Sequence, residues 1–196
     1  MDMEGVIVPE IWPAVAARTG VDALTLTTRD VPVYTDLMDH RLKALADNDI
    51  SLSTITGIIS TLDLLDGAKA FLDELRMRYQ VAIISDTFYE FAGPFMRKLG
   101  WPTLLCHRLQ IENDRITDYR IRQPDPKRCS IKAFKSLNFN VYAAGDSYND
   151  VTMLEEADAG FLFRAPDGVK KEFPQYASTD DYAELIAMFD AQATNG

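Results

Sequence analysis

Ala143-Ala144-Gly145-Asp146-Ser147-Tyr148-Asn149-Asp150 carries the clearest architectural signal in the chain. The apolar run Val141 to Ala144 breaks at a glycine into acid and amide side chains, and Val151-Thr152-Met153-Leu154 resumes with helical character. That pattern is a strand, a tight turn and a helix start. It puts carboxylates at the C-terminal edge of a strand, where open α/β sheets hold their ligands. Asp146 and Asp150 together suit a hard cation such as Mg²⁺, which takes oxygen ligands and keeps phosphate and water in its shell. Taken alone, the turn reads better as a polar loop with an N-capping Asp or Asn.

Outward from this stretch, apolar runs alternate with helical patterns. Val81-Ala82-Ile83-Ile84 suits a strand buried on both faces, and Gly160-Phe161-Leu162-Phe163 the last core strand. Helices are expected from a capping Asp66 to Tyr79, over 88–99, over 127–137, and from Thr179 onward. Residues 103–106 read as a short strand and 106–122 as a β-hairpin with one polar face. The expected fold is therefore α/β, a doubly wound parallel sheet. Between Ile11 and Asp66 the pattern turns helical: a helix ending at Gly20, an irregular stretch with Pro32, a helix over 34–46, and one capped by Ser53. We read 11–66 as a small helical cap domain inserted into a core made of 1–10 and 67–196.

Composition narrows the function classes. With 196 residues, 47% of them hydrophobic, the chain can bury a core plus a small insertion. A net charge of −10 argues against nucleic acid and anionic membranes as partners. The two cysteines, Cys106 and Cys129, have no metal-ligand spacing and indicate no disulfide framework. No run has spanning length and no secretory pattern is seen, so the expected location is cytoplasmic.

Asp2-Met3-Glu4-Gly5 adds an acid-x-acid pair whose side chains share one face of an extended segment. Alone it reads as an exposed acidic terminus. With Ser85-Asp86-Thr87 after an apolar run, Lys127 after Asp125-Pro126, and the Gly145-Asp146 turn, it completes a four-part order that resembles the haloacid dehalogenase-like phosphatases. The resemblance implies a Rossmann-like core. It implies Asp2 as nucleophile, Glu4 as general acid and base, and Mg²⁺ on Asp2, Asp146 and the Glu4 carbonyl with Asp150 behind them. It also implies phosphate contacts from Ser85, Asp86, Lys127 and Asn149. In that family the nucleophile ends a central strand, whereas only Met1 precedes Asp2 here, so the first core strand is expected to be missing.

Asp-x-Glu resembles the phosphoserine phosphatase branch, in which Glu10 and Arg41 would grip an amino-acid zwitterion. Ser85-Asp86-Thr87, where that branch has a Ser-Gly-Gly run, and Asp125-Pro126-Lys127-Arg128 resemble its bifunctional members, which pass the phosphoryl group to homoserine. The partners implied are phosphoserine and homoserine, with a homodimer allowed. Read by residue type alone, Arg41 also fits a surface position on an amphipathic helix, and Lys127 a solvated neighbour of Arg128. Rival expectations are a phosphatase for another small phosphate ester and an inactive, truncated form.

Overall fold

The computed structural model describes residues 1–27, 30–31 and 33–194. Helix α1 (Ile11–Thr19) buries Ile11, Trp12, Val15 and Ala16 and stops at Gly20. A 3-10 turn (Asp22–Thr25) follows, and the expected irregular stretch there extends to Pro32, which lies outside the described residues. Helix α2 (Tyr34–Asp47) turns Leu37, Met38, Arg41 and Leu45 inward, as its i, i+4 spacing dictates. Helix α3 (Leu52–Ser60) is capped by Ser51, whose hydroxyl accepts from the Thr54 amide, and not by Ser53 as expected. Ser53 instead donates to Asp114, so the two hydroxyls divide the capping and docking roles.

Helix α4 (Ala68–Arg78) leads to β1 (Ala82–Phe88), then α5 (Tyr89–Leu99) and β2 (Thr103–Glu112). Asp66 does not cap α4; the N-cap is Gly67, without a side-chain bond. A hairpin strand, β3 (Arg115–Arg120), precedes α6 (Pro126–Ser136), β4 (Tyr142–Gly145), and α7 (Val151–Glu156). Next come β5 (Ala159–Phe163), α8 (Asp167–Glu172), β6 (Ala177–Thr179) and α9 (Tyr182–Ala193). The last helix is capped by Asp181, and Thr179, expected to begin it, ends a further strand.

The sheet is split. One three-stranded sheet has the order β1-β2-β3 and the other β4-β5-β6. Pairing is parallel for β1 with β2 and throughout the second sheet, as expected for a doubly wound core, and antiparallel for β2 with β3. The expected short strand and the first arm of the hairpin are one continuous strand, β2. It pairs in parallel with β1 from Thr103 to His107, across a register shift after Leu105, then antiparallel with β3 from Arg108.

Met1 and Asp2 lie between the two sheets. The Met1 nitrogen donates to Ala82 O at 3.0 Å and Ile84 N to Met1 O at 2.9 Å, while Asp2 N donates to Ala144 O at 3.0 Å. Beside them is an apolar slot of about 470 Å³ lined by Val81, Ile131, Phe134, Val141 and Phe189. These bonds hold Asp2 at the C-terminal ends of β1 and β4, which is what positions the site.

One apolar cluster joins Ile11, Met38, Leu45 and Ile55 to Phe91, Phe95 and Phe163, so the helices of 11–60 share a core with the sheet. The hairpin tip reinforces them. Asp114 O accepts from Leu52 N at 2.8 Å and its carboxylate from Ser53 N at 3.0 Å, so it meets the bare amides at the start of α3. No helix among the described residues is long and apolar enough to cross a membrane.

Candidate active site

The acids expected from the sequence converge. Oxygens of Asp2, Asp146 and Asp150 lie within 4.8 Å of one another at the strand ends. Asp150 is fully buried, and its two oxygens serve different partners. Oδ2 accepts from Asp146 N at 3.0 Å and Ser147 N at 3.1 Å, which folds the acidic turn; Oδ1 accepts from Lys127 Nζ at 2.6 Å. Asp150 thereby fixes both the turn and the lysine.

Lys127, 2% exposed, sits 3.0 Å from Asp2 Oδ2 and 3.5 Å from Asp86 Oδ2. Burial opposes its charge, but Asp150, Asp2 and Asp86 together outweigh it, and the ammonium titrates well above its ordinary range. Its position at the start of α6 follows from Pro126, which opens that helix without needing an amide partner. The alternative of a solvated lysine is therefore excluded. So is a surface Arg41.

Asp2 is pushed well up by burial and by the Asp150 charge, against the pull of Lys127. Burial, then Asp150 and Glu10, raises Asp146 to about 7. Glu4 is raised to about 7 by burial and by Glu10, although Ile11 N donates to its Oε2 at 2.9 Å and Thr87 also bonds it. More carboxylate is gathered here than one lysine neutralises. A hard divalent cation relieves that excess, and an all-oxygen donor set is what Mg²⁺ takes.

Gly5 makes the gathering possible. With φ at +75°, it brings the backbone so close that a Cβ would lie 2.5 Å from the Asp146 carboxylate carbon.

Ser85, Asp86 and Thr87 end β1 where its register shifts. Ser85 is buried and its hydroxyl accepts from Thr87 N at 3.3 Å. Asp86 Oδ2 accepts from Asn149 Nδ2 at 2.8 Å, which brings Asn149 to the cluster. Burial tends to raise the Asp86 carboxyl, but Lys127, His107 and Asn149 hold it far below the usual range.

Arg41 lies on the helical side with its guanidinium 4.6 Å over the Trp12 ring. Nη2 donates to Leu26 O at 2.9 Å, and Nε is buried without a partner. A planar donor fork with a spare buried N–H suits a carboxylate. Glu4 and Glu10 are among the charges that act on it. Glu10 is exposed, at the N-terminal end of α1.

Two neighbours, Tyr34 and His107, belong to no motif and were not foreseen, and a third, Thr87, lies in the Ser85-Asp86-Thr87 run without an assigned role. Tyr34 OH donates to Asp86 O at 2.8 Å, His107 Nε2 faces Asp86 Oδ1 at 3.6 Å, and Thr87 bonds Glu4. The one available signal was a lone histidine inside an apolar strand pattern.

The profile for haloacid dehalogenase-like hydrolases matches residues 1–158. A "Phosphoserine phosphatase" of Pseudomonas syringae pv. tomato is 57% identical over 96% of this chain and 80% of its own length. "Phosphoserine phosphatase ThrH" of Pseudomonas aeruginosa is 56% identical over 96% of this chain and 93% of its own length. Among solved structures, the phosphoserine phosphatase from T. onnurineus in complex with NDSB-201 superposes with a TM-score of 0.72. It is 25% identical, over 95% of this chain and 90% of that one.

Proposed function

The chain belongs to the haloacid dehalogenase-like hydrolases, and from that premise we propose that it is a phosphoserine phosphatase working through an aspartyl-phosphate on Asp2. The observation that carries the reading is the buried contact of Lys127 with Asp2 and Asp150, beside Asp146, at the ends of two parallel strands. Curated relatives at 56–57% identity carry the same activity in their names.

In this reading the Asp2 carboxylate attacks phosphorus in line, and the bond to the serine oxygen breaks. Glu4 gives its proton to that oxygen; a carboxyl held near 7 still carries one at neutral pH. Glu4 then takes a proton from the incoming hydroxyl as that oxygen attacks phosphorus and frees Asp2. Lys127, the Ser85 hydroxyl and the Asn149 amide bind the phosphoryl oxygens, and Asp86 completes this phosphate-binding group by holding Asn149. Asp2, Asp146 and the Glu4 carbonyl would hold Mg²⁺, with Asp150 behind them. When bound, the ion supplies the positive charge that keeps Asp2 ionised and lets it meet a phosphate.

The helices of 11–66 act as a cap. Their Arg41 pairs with the substrate carboxylate and Glu10 with the ammonium. Homoserine, one methylene longer than serine, fits the same grip and serves as a second acceptor beside water. Support for this comes from the Ser85-Asp86-Thr87 run, and from a cap that raises the effective concentration of a bound alcohol. The free Cys106 and Cys129 fit a reducing, cytoplasmic setting.

The test is turnover of phosphoserine with Mg²⁺, with and without homoserine. Phosphate release establishes the hydrolase, and phosphohomoserine the transferase. Turnover of sugar or nucleotide phosphates with none of phosphoserine would overturn the substrate assignment.

A further inference from the structure

Asp86 stands where a phosphate would be resented. Its Oδ2 holds Asn149 Nδ2 at 2.8 Å and lies 3.5 Å from Lys127 Nζ, the two donors assigned above to the phosphoryl oxygens. A carboxylate on both donors is a small anion in the place of a larger one. When a phosphate dianion takes them, Asp86 must turn away or face a like charge at close range. Its backbone does not offer the movement, because the Tyr34 hydroxyl from α2 is bonded to Asp86 O. Only the side chain can turn, and it then needs a new donor.

His107 stands beside it with one. The ring is 2% exposed, set at 6.0 Å from Tyr34 and 6.1 Å from Phe88. Nδ1 accepts the Arg122 amide at 3.2 Å, so in the neutral ring the hydrogen is on Nε2. That nitrogen already faces Asp86 Oδ1 at 3.6 Å, a long contact that steadies the carboxylate and has room to shorten. A small rotation of the carboxylate closes the gap as it opens the other two.

We propose that His107 is a positioning residue, whose Nε2–H receives the Asp86 carboxylate when phosphate takes Lys127 and Asn149. The exchange moves no proton and breaks no covalent bond. It makes the phosphate site self-neutralising: Asp86 balances Lys127 in the free protein, and His107 holds Asp86 aside in the complex. The inference rests on the phosphate-binding reading of Lys127 and Asn149 given above.

The test is calorimetric titration of the full chain with inorganic phosphate in Mg²⁺, alongside phosphoserine kinetics. His107→Phe keeps the ring and removes the donor; phosphate affinity should fall, and KM for phosphoserine rise, by about tenfold, the loss of one hydrogen bond to a charged group. His107→Gln, which keeps an N–H, should recover part of the loss. Asp86→Asn removes the charge that needs parking, so, whatever the phosphate affinity of that variant, adding His107→Phe to it should cost nothing further. A merely structural histidine would show the same deficit with Asp86→Asn as without it, and that result overturns the proposal. So does a phosphate affinity in His107→Phe equal to that of the wild type; where that variant fails to fold, His107→Leu carries the same comparison. A wild type that binds phosphate but does not hydrolyse phosphoserine sinks the substrate assignment and leaves this inference to be judged on the affinities.

Discussion

Gly5→Ala isolates what close approach contributes to the site, because the chain supplies its own control. Gly5 and Gly20 have nearly the same backbone, φ +75° and +72°. A Cβ at Gly20 meets nothing within 4 Å, whereas one at Gly5 lies 2.5 Å from the Asp146 carboxylate carbon. Gly20→Ala therefore reports only the left-handed strain, about 1 kcal/mol after the smaller entropy of the unfolded alanine chain is credited. Gly5→Ala adds a clash that Asp146 must relieve by about 1 Å, while its amide stays tied to Asp150; overpacking of this kind adds about 1–3 kcal/mol. Urea unfolding should place Gly5→Ala about 2–4 kcal/mol below the wild type and Gly20→Ala about 1 kcal/mol below it. Mg²⁺ titration should separate them further, since only Gly5→Ala pushes Asp146 from Asp2. Equal losses at the two positions, or unchanged Mg²⁺ affinity in Gly5→Ala, would refute the reasoning.

Lys127→Met leaves Asp2 and Asp150 buried without their cation, and breaking a buried pair from one side should lower stability at neutral pH by about 3–5 kcal/mol; a loss below about 1 kcal/mol in urea would contradict the geometry. Mg²⁺ affinity should rise with pH between about 6 and 8, because burial first and neighbouring charge second hold a proton on the Asp146 carboxyl to about 7, and the ion must displace it. The raised values of Asp146 and Glu4 mean that the metal-free fold binds more protons than the unfolded chain from the ordinary carboxylate range up to about 7, so its stability should fall as pH rises through that window, and a melting temperature that rises instead would reverse the sign. Arg41→Lys keeps the charge but loses the planar fork and the spare Nε–H, so KM for phosphoserine should rise about tenfold or more with kcat less affected; equal kinetics would remove Arg41 from the substrate grip.

The sequence showed this site where chemistry follows from local pattern. Gly145-Asp146 at the end of an apolar run had to be a strand edge, and Asp125-Pro126 before Lys127 had to be a helix start, so both carriers of charge could be placed. Where an element's form depends on a distant partner, the pattern misled. β2 reads as two strands because its burial changes as it passes from β1, inside the sheet, to β3, at the hairpin. The cap at Ser51 was missed for a related reason, since Ser51 and Ser53 have equal local claims and only the contact of Ser53 with Asp114 decides between them. Tyr34 and His107 belong to the same class. Each reaches Asp86 across more than twenty residues of chain, brought there by α2 packing on the hairpin and by β2 lying beside β1. Nothing in their own neighbourhoods encodes that meeting. What the local sequence does encode is its consequence: a half-buried aspartate at position 86, near the end of β1, is tolerable only where tertiary structure supplies enough donors to hold it.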